Sequence, residues 1–299
     1  VLADVCSDRG ASRIAAEIRR PEDREAAFVR ALADLMADLA DSAACDLNGI
    51  PVVASGMVTS QHGWRDIPYA RLPLDLPDPQ LPLTRFNVKI GTSTHPILLV
   101  PGLRSDCDVM RGEECELLGL AQTPGWDGRA TVVLLPGTHC KHVSVVENRV
   151  VNFTTYMTGE LFEAFVEHTV LGRTATYHSG GRLISDRPAF QEGVRDAVRD
   201  GLSASLFRVR SRALLDHTLD AAAGGAYLDG LLVGDELARF VAERPRHDLW
   251  LCAGAQLTDV YRAAADELGL GGTLHCLPPE AVDRLAVLGH CVLLERSFS

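Results

Sequence analysis

The sequence predicts an α/β fold, and three observations carry that prediction. Short apolar runs at residues 50–54, 97–100, 132–135 and 249–252 have the length of buried strands, and each runs into glycine or proline. Longer stretches between them repeat apolar residues at helical spacing. Two of the strands end in a glycine turn, at Pro136-Gly137-Thr138 and at Cys252-Ala253-Gly254-Ala255, and the elements that follow differ. A hairpin is expected after the first and a helix after the second.

The 299 residues allow two domains of ordinary size or one large one. With 46% hydrophobic and 23% charged residues, the composition is that of a globular protein. A net charge of −11 argues against nucleic acid as a partner, since a phosphate backbone calls for a basic face. Small anions stay open, because local geometry decides those. No apolar run approaches the roughly 18 residues of a membrane span, so no membrane partner is expected. Eight cysteines are scattered with no C-x-x-C pair, which reads as reduced thiols in a cytoplasmic protein.

Val1–Val5 reads as a short strand with no earlier partner, which predicts a natural protein beginning further upstream and an exposed sheet edge if it does not. Residues 22–40 are predicted helical, with Phe28, Leu32, Leu35, Met36 and Leu39 on one face and Glu22 and Asp23 suited to its start. Ile50–Gly56 is a strand ending in glycine. Met57–Tyr69 is a loop mixing Gln61, His62, Trp64, Arg65 and Tyr69; such a loop after a strand is either plain surface or a ligand contact. Residues 73–96 hold five prolines and read as irregular, with one strand near Phe86–Ile90. Ile97–Val100 is the next strand, and the tail of Asp106–Gly119 is helical with Cys115 and Leu118 inward. Its carboxylates suit a helix N-terminus for the dipole alone, or catalysis.

Val132–Leu135 then meets Pro136 and Gly137, followed by Thr138, His139 and Lys141. A hydroxyl, an imidazole and an ammonium beside a glycine turn with free N–H groups suit a phosphate, although an ordinary strand end has the same look. Val143–Val146 and Arg149–Phe153 flank Glu147-Asn148 as a hairpin. A helix follows with Thr158 as its expected N-cap. Further helices are expected over Asp186–Gly201, Ala204–Leu215 and Tyr227–Val241. Leu249–Gly254 is a strand leading into a helix that Gly269 would close. Thr273–Leu277 is a last strand before a C-terminal helix.

A phosphate hairpin early and a glycine turn late resemble the second lobe of an actin/hexokinase-type phosphotransferase. Longer stretches carry a closer resemblance. Ala54-Ser-Gly-Met-Val-Thr-Ser-Gln-His-Gly-Trp64, Val109-Met-Arg-Gly-Glu-Glu114, Leu135-Pro-Gly-Thr-His-Cys-Lys141 and Tyr156-Met-Thr-Gly-Glu-Leu161 resemble the signatures of 2-dehydro-3-deoxygalactonokinases. Gly230-Leu-Leu-Val-Gly-Asp-Glu236 and Ala253-Gly-Ala255 are similar to that family's C-terminal lobe. The departures are an absent N-terminal phosphate motif of the Asp-x-Gly-Thr type, His142 where tryptophan is usual, and a weak match over Val282–Ser299.

The resemblance implies a two-lobed actin-like ATPase (ribonuclease H-like) fold with an incomplete N-terminal sheet. Residues 1–128 would be the sugar-acid-binding lobe and residues 129–299 the nucleotide-binding lobe. The implied activity is ATP-dependent phosphorylation of 2-dehydro-3-deoxy-D-galactonate at its 6-hydroxyl in galactonate catabolism, with ATP and Mg2+ as cofactors. Gly137, Thr138, His139 and Lys141 would meet the phosphates, and Gly254 and Ala255 the nucleoside. Gln61, Trp64 and Arg111 would bind the sugar acid, and Glu114, then Glu113, then Asp108 would serve as the base. No metal ligand is assigned and a homodimer is left open. A phosphatase or polyphosphate-type hydrolase of the same fold, or a catalytically inactive sugar-acid binder, are the other readings.

Overall fold

The structure is a computed structural model, and it describes residues 2–176, 182, 184–215, 220–243 and 248–298. It divides into two compact units, Val1–Trp126 with Leu285–Ser299, and Asp127–Arg284. Both are mixtures of helix and sheet, so the predicted α/β class is the one observed.

The first unit opens with α1 (Ala11–Glu17) and α2 (Arg24–Ala43). No strand occupies residues 2–5, contrary to expectation, and Val1 lies outside the described residues. Leu2 is almost fully exposed, so the segment has neither a ladder partner nor a core to hold it extended. The strands are β1 (Val52–Ala54), β2 (Ala70–Arg71), β3 (Leu74–Asp75), β4 (Thr84–Ile90), β5 (Ser93–Leu99), β6 (Leu103–Arg104) and β7 (Val109–Met110), and α3 (Glu113–Leu120) follows. β5 is central, antiparallel to β4 and parallel to β1.

The proline-rich stretch is therefore more ordered than its composition suggests. β4 and β5 form a hairpin, and Pro96 sits within β5 opposite Asn87. On the β1 side the paired run starts only at Ile97, so the N–H that Pro96 lacks costs no bond there. The core of this unit gathers Phe28, Trp64, Ile67, Val88, Ile97 and Leu99. Phe28 stacks on Trp64 at 6.2 Å and Phe86 meets the same indole edge-on at 5.3 Å.

The second unit starts with β8 (Thr131–Leu135), β9 (Cys140–Val146) and β10 (Arg149–Tyr156). Glu147 and Asn148 both have positive φ, 50° and 59°, as a two-residue hairpin turn of right-handed strands requires. The hairpin strands are longer than the apolar pattern indicated, because β9 begins at Cys140 and takes Lys141 and His142 into the ladder. Helices α4 (Thr158–His168), α5 (Arg187–Asp200), α6 (Leu202–Ser205), α7 (Arg208–Leu215) and α8 (Ala221–Glu243) come next. The expected 204–215 helix is thus two, and α8 starts well before Tyr227. Thr158 is the first residue of α4, not its cap; its hydroxyl donates to Glu236 instead. β11 (Asp248–Leu251), α9 (Ala255–Glu267), β12 (Leu274–Cys276) and α10 (Pro279–Phe298) complete the chain, with α10 entering the first unit from Leu285.

Within this unit the strands lie in the order β12-β11-β8-β9-β10. β8, β11 and β12 are parallel, and β9 and β10 fold back antiparallel. α5 and α8 pack backbone to backbone, and glycines make this feasible. A Cβ on Gly193 would stand 2.2 Å from the Tyr227 carbonyl oxygen, and one on Gly230 would stand 2.0 Å from that of Phe190. Alanine at position 230 would regain about 1 kcal/mol of helix propensity. It would also force the two helices apart, the larger effect. Gly230→Ala should lower the unfolding free energy by about 1–3 kcal/mol, read from the denaturant midpoint at unchanged slope.

Candidate active site

In the first unit, two glycine corners bring separate sequence stretches together. Gly56 (φ +80°) and Gly112 (φ +113°) both need left-handed backbone, and a Cβ on Gly112 would lie 3.4 Å from the Gly56 Cα. Residues 54–64 and 109–114 therefore meet. Arg111 fastens them: one terminal nitrogen donates to the Thr59 carbonyl at 2.5 Å and its hydroxyl at 2.7 Å, and the other donates to the Ile67 carbonyl at 3.1 Å. Its guanidinium also lies 4.1 Å over the Tyr69 ring. The loop between is folded tightly on itself, with Gly63 so close to the Met57 and Val58 carbonyls that no side chain fits. Arg24 of α2 holds it by donating to the Gln61 and Gly63 carbonyls at 2.7 and 2.9 Å.

This loop and Arg111 line an open cavity of about 390 Å³ bordered by Ser60, Gln61, His62, Asp66, Tyr69 and Arg111, together with Met57. Its volume suits a small polar molecule, and amide, imidazole, phenol and guanidinium groups together can bind hydroxyls and a carboxylate. Of the predicted sugar-acid residues, Gln61 and Arg111 share this cavity. Trp64 does not line it; the indole is buried in the core and donates to Glu25 at 2.9 Å. His62, Asp66 and Tyr69 complete the lining. Their signal in the sequence was the mixed aromatic and polar composition of the loop.

The start of α3 carries Glu113, Glu114 and Glu116 in one turn. Glu114 is fully buried and accepts the Gly112 N–H at 2.7 Å. Burial pushes its carboxyl up to about 8, against the pull of its backbone hydrogen bonds. Burial likewise raises Glu116, to about 7. Glu113 is half-buried and accepts the Arg111 N–H at 2.9 Å. Asp108 accepts the N–H of Val109 at 2.7 Å.

In the second unit, the two glycine turns are neighbours. β8 pairs in parallel with β11 so that Leu134 stands beside Leu251, and the Cys252 N–H donates to the Leu134 carbonyl at 2.9 Å. Pro136-Gly137-Thr138-His139 and Ala253-Gly254-Ala255 thus leave the same end of the sheet on adjacent strands. Thr138, His139, Gly254 and Ala255 are exposed, and nothing lies within 4 Å of a Cβ built on Gly137 or Gly254. Gly254 is the N-cap of α9 with no side chain over it, which leaves the positive end of the helix dipole open beside the turns.

The first residues of α4 lie against the first turn. The Glu160 N–H donates to the Thr138 carbonyl at 3.1 Å, and the Glu160 carboxylate meets the His139 imidazole at 2.5 Å. A Cβ on Gly159 would be 2.5 Å from the Gly137 oxygen and 2.8 Å from the Thr138 Cα. Lys141 is largely buried in β9 and turns back to donate to the His139 carbonyl at 3.0 Å. Its ammonium braces the turn more than it projects from it.

Beneath the turn is a buried carboxylate that the sequence reading did not single out. Glu236 of α8 accepts from the His142 Nε2–H at 2.7 Å and the Tyr261 hydroxyl at 2.8 Å, and also from the Thr158 hydroxyl. Burial would raise its carboxyl, but the donors around it outweigh that and hold it below the usual range. Burial pushes the His142 imidazole down, so His142 is neutral and gives its proton to the bond with Glu236. The ring packs between Tyr156 at 4.5 Å and Phe240 at 5.3 Å, filling space with aromatic surface as a larger ring would. The available clue was the spacing of Asp229 and Glu236, two acids seven apart on an otherwise apolar helix face.

Comparison with known proteins agrees with these motifs. The family model described as 2-keto-3-deoxy-galactonokinase matches residues 1–283. A Rhizobium meliloti (strain 1021) protein named a probable 2-dehydro-3-deoxygalactonokinase is 33% identical over 231 residues, covering 74% of this chain and 72% of its own. The Escherichia coli (strain K12) 2-dehydro-3-deoxygalactonokinase is 32% identical over 228 residues, covering 73% and 71%. A crystal structure of a candidate 2-dehydro-3-deoxygalactonokinase from Sinorhizobium meliloti superposes with a TM-score of 0.78 at 26% identity, over 96% of this chain and 90% of that one. The chain belongs to the 2-keto-3-deoxy-galactonokinase family.

Proposed function

We propose that the protein phosphorylates 2-dehydro-3-deoxy-D-galactonate at its 6-hydroxyl, taking the phosphoryl group from ATP. Family membership favours this over the hydrolase and binder readings. The single observation that carries it from the geometry is the adjacency of the two glycine turns at one end of the β8–β11 pair. Gly137, Thr138 and His139 would hold the β- and γ-phosphates through N–H groups, a hydroxyl and an imidazole. Gly254 and Ala255 leave room for the nucleoside against the backbone. Lys141 contributes positive charge from beneath the turn.

In this reading the second unit is the nucleotide-binding lobe of an actin-like ATPase (ribonuclease H-like) fold, and the first unit is the sugar-acid-binding lobe. Support for the fold comes from the antiparallel hairpin after β8 and the parallel β11 and β12 on its other edge. The first unit's cavity would take the sugar acid. Gln61, His62 and Tyr69 offer hydrogen bonds, and Trp64 acts by fixing the loop from the core. Arg111 spends much of its fork on loop carbonyls, so it shapes the wall and supplies charge to the acid's carboxylate from there. With all eight cysteines as free thiols, a reducing cytoplasm suits the protein.

Transfer requires a group to take the proton of the 6-hydroxyl as its oxygen bonds to phosphorus and ADP leaves. Glu114 holds its own proton at neutral pH and ties down the Gly112 N–H, which suits a structural acid. Glu113, half-buried in the first turn of α3 and accepting the Arg111 N–H, is the better base, and Asp108 ranks after both. Among the described residues no group of three His, Cys, Asp or Glu side chains stands together as a metal site. Mg2+ would therefore arrive on the ATP phosphates, where it neutralises charge, as is usual for this ion.

Purified protein should convert ATP and 2-dehydro-3-deoxy-D-galactonate to ADP and the 6-phosphate, with little ATP hydrolysis when the acceptor is withheld. Release of phosphate from ATP alone at an equal rate would mark a hydrolase instead. Glu113→Gln should lower kcat by about 10²–10⁴-fold, while Glu114→Gln retains most of it; the reverse ranking would return Glu114 to the role of base.

Glu114 also predicts a pH dependence of stability. Its folded carboxyl titrates near 8 against 4.5 unperturbed. Between those values the folded state holds a proton that the unfolded chain has lost, so stability falls as pH rises. Relative to Glu114→Gln, the wild type should lose up to about 1.4 kcal/mol of unfolding free energy per pH unit across that window. Chemical denaturation at pH 5, 6, 7 and 8 (conditions chosen to span about three units) would check it, and parallel curves for the two proteins would refute it.

A further inference from the structure

We propose that Glu236 is a positioning residue for the nucleotide half-site, holding the Gly137-Thr138-His139 turn through two separate branches. The inference rests on the nucleotide reading of that turn. One branch runs through Thr158. Its hydroxyl donates to the Glu236 carboxylate and so fixes the first residue of α4. Gly159 and Glu160 follow at once, pressed against Gly137 and bonded to the Thr138 carbonyl and the His139 ring. The other branch runs through Tyr261 of α9. Its hydroxyl donates to Glu236 at 2.8 Å and contacts the Cys140 sulfur at 3.1 Å, and that thiol lies 3.4 Å from the Gly137 carbonyl oxygen.

His142 supplies a third donor, from β9, at 2.7 Å. One carboxylate thus joins α8 to the strand after the turn, to the helix packed on the turn, and to the helix whose start carries Gly254. None of the three donors is exposed, and neither is Glu236. The groups facing Glu236 from the packed elements are His142, Thr158, Tyr261 and Cys140, with the buried Arg182–Asp229 pair nearby. Glu236 does not itself reach the exposed face of the turn; it acts through the residues that do.

Its removal should therefore be felt in nucleotide binding before it is felt in sugar-acid binding. Glu236→Leu would bury three unpaired donors and would not fold cleanly, so the branches are cut singly. Thr158→Val severs the α4 branch and Tyr261→Phe severs the α9 branch, each leaving Glu236 two donors. Each should raise the Kd for ATP, measured by direct titration, and the KM for ATP about five- to tenfold. The KM for 2-dehydro-3-deoxy-D-galactonate should stay within about twofold of wild type. Thr158→Ser, which keeps the hydroxyl, should restore ATP binding.

Unchanged ATP binding in both variants would overturn the inference, as would a parallel rise in both KM values or failure of Thr158→Ser to rescue. A wild type that binds no ATP would overturn the nucleotide reading and this inference with it. A wild type that binds ATP beside variants that bind it equally well would overturn this inference alone.

Discussion

Everything proposed for the second unit depends on one register, Leu134 of β8 beside Leu251 of β11. Parallel neighbours end on the same side of a sheet, so whatever follows each strand is delivered to one place. Here that is two glycine turns, one entering a hairpin and the other entering a helix. The register is held because both strands are apolar and buried: Val133, Leu134, Leu135, Leu249 and Leu251 are all nearly inaccessible to solvent. A slip of one residue would turn those side chains to the opposite face. It would also take the Cys252 N–H from the Leu134 carbonyl, the bond that carries the pairing past the end of β11.

Around that register the chain uses missing side chains as a construction device. Gly193, Gly230 and Gly234 let α5 and α8 touch along their backbones, and Gly159 lets α4 rest on the Gly137-Thr138 turn. In the first unit, Gly119 of α3 and Gly289 of α10 do the same across a helix crossing, each lying against the other helix's carbonyls. Short spacings leave little room for adjustment, because an added methyl meets backbone and not a flexible side-chain tip. The Gly137 turn is thereby backed by a packed helix, as precise placement of a bound group demands.

The strands were legible wherever burial on both faces wrote an unbroken apolar run, as at Val132–Leu135 and Leu249–Leu251. Helix starts with a strong local signal were legible too: Asp186 accepts the Ala189 N–H at 2.9 Å as a cap should. Elements fixed by tertiary partners were not. The hidden extent of β5 around Pro96 depends on which edge of that residue is paired. Thr158 looked like a cap because its hydroxyl precedes an apolar helix, yet a buried carboxylate far along the chain claims that hydroxyl. Trp64 looked like a ligand contact from its polar neighbours, and its burial between Phe28 and Phe86 could be seen only once α2 and β4 were in place. Gln61 and Arg111 meet at one cavity because Arg111 bonds back to the loop's carbonyls, and Gly137 and Gly254 leave one sheet end because β8 and β11 are parallel neighbours; neither pairing is written in the local sequence.

An acidic chain with net charge −11 that is to bind an anionic nucleotide and an anionic sugar acid must first deal with its own carboxylates. Three of them near the candidate sites are handled in three ways. Glu114 is buried with so little compensation that it keeps its proton, and it presents no charge. Glu236 is buried among an imidazole and two hydroxyls that spread its charge over three hydrogen bonds. Glu160 stays half-exposed, hydrogen-bonded to the His139 imidazole at 2.5 Å and within the first turn of α4, where the helix dipole favours a carboxylate. Glu114 thus adds no charge at neutral pH and Glu236 keeps its charge beneath the surface in hydrogen bonds, so the overall charge excludes less than it suggests. What an anion meets is the local field of N–H groups, helix ends and paired acids, and that field is set by burial and hydrogen bonding, which composition does not record.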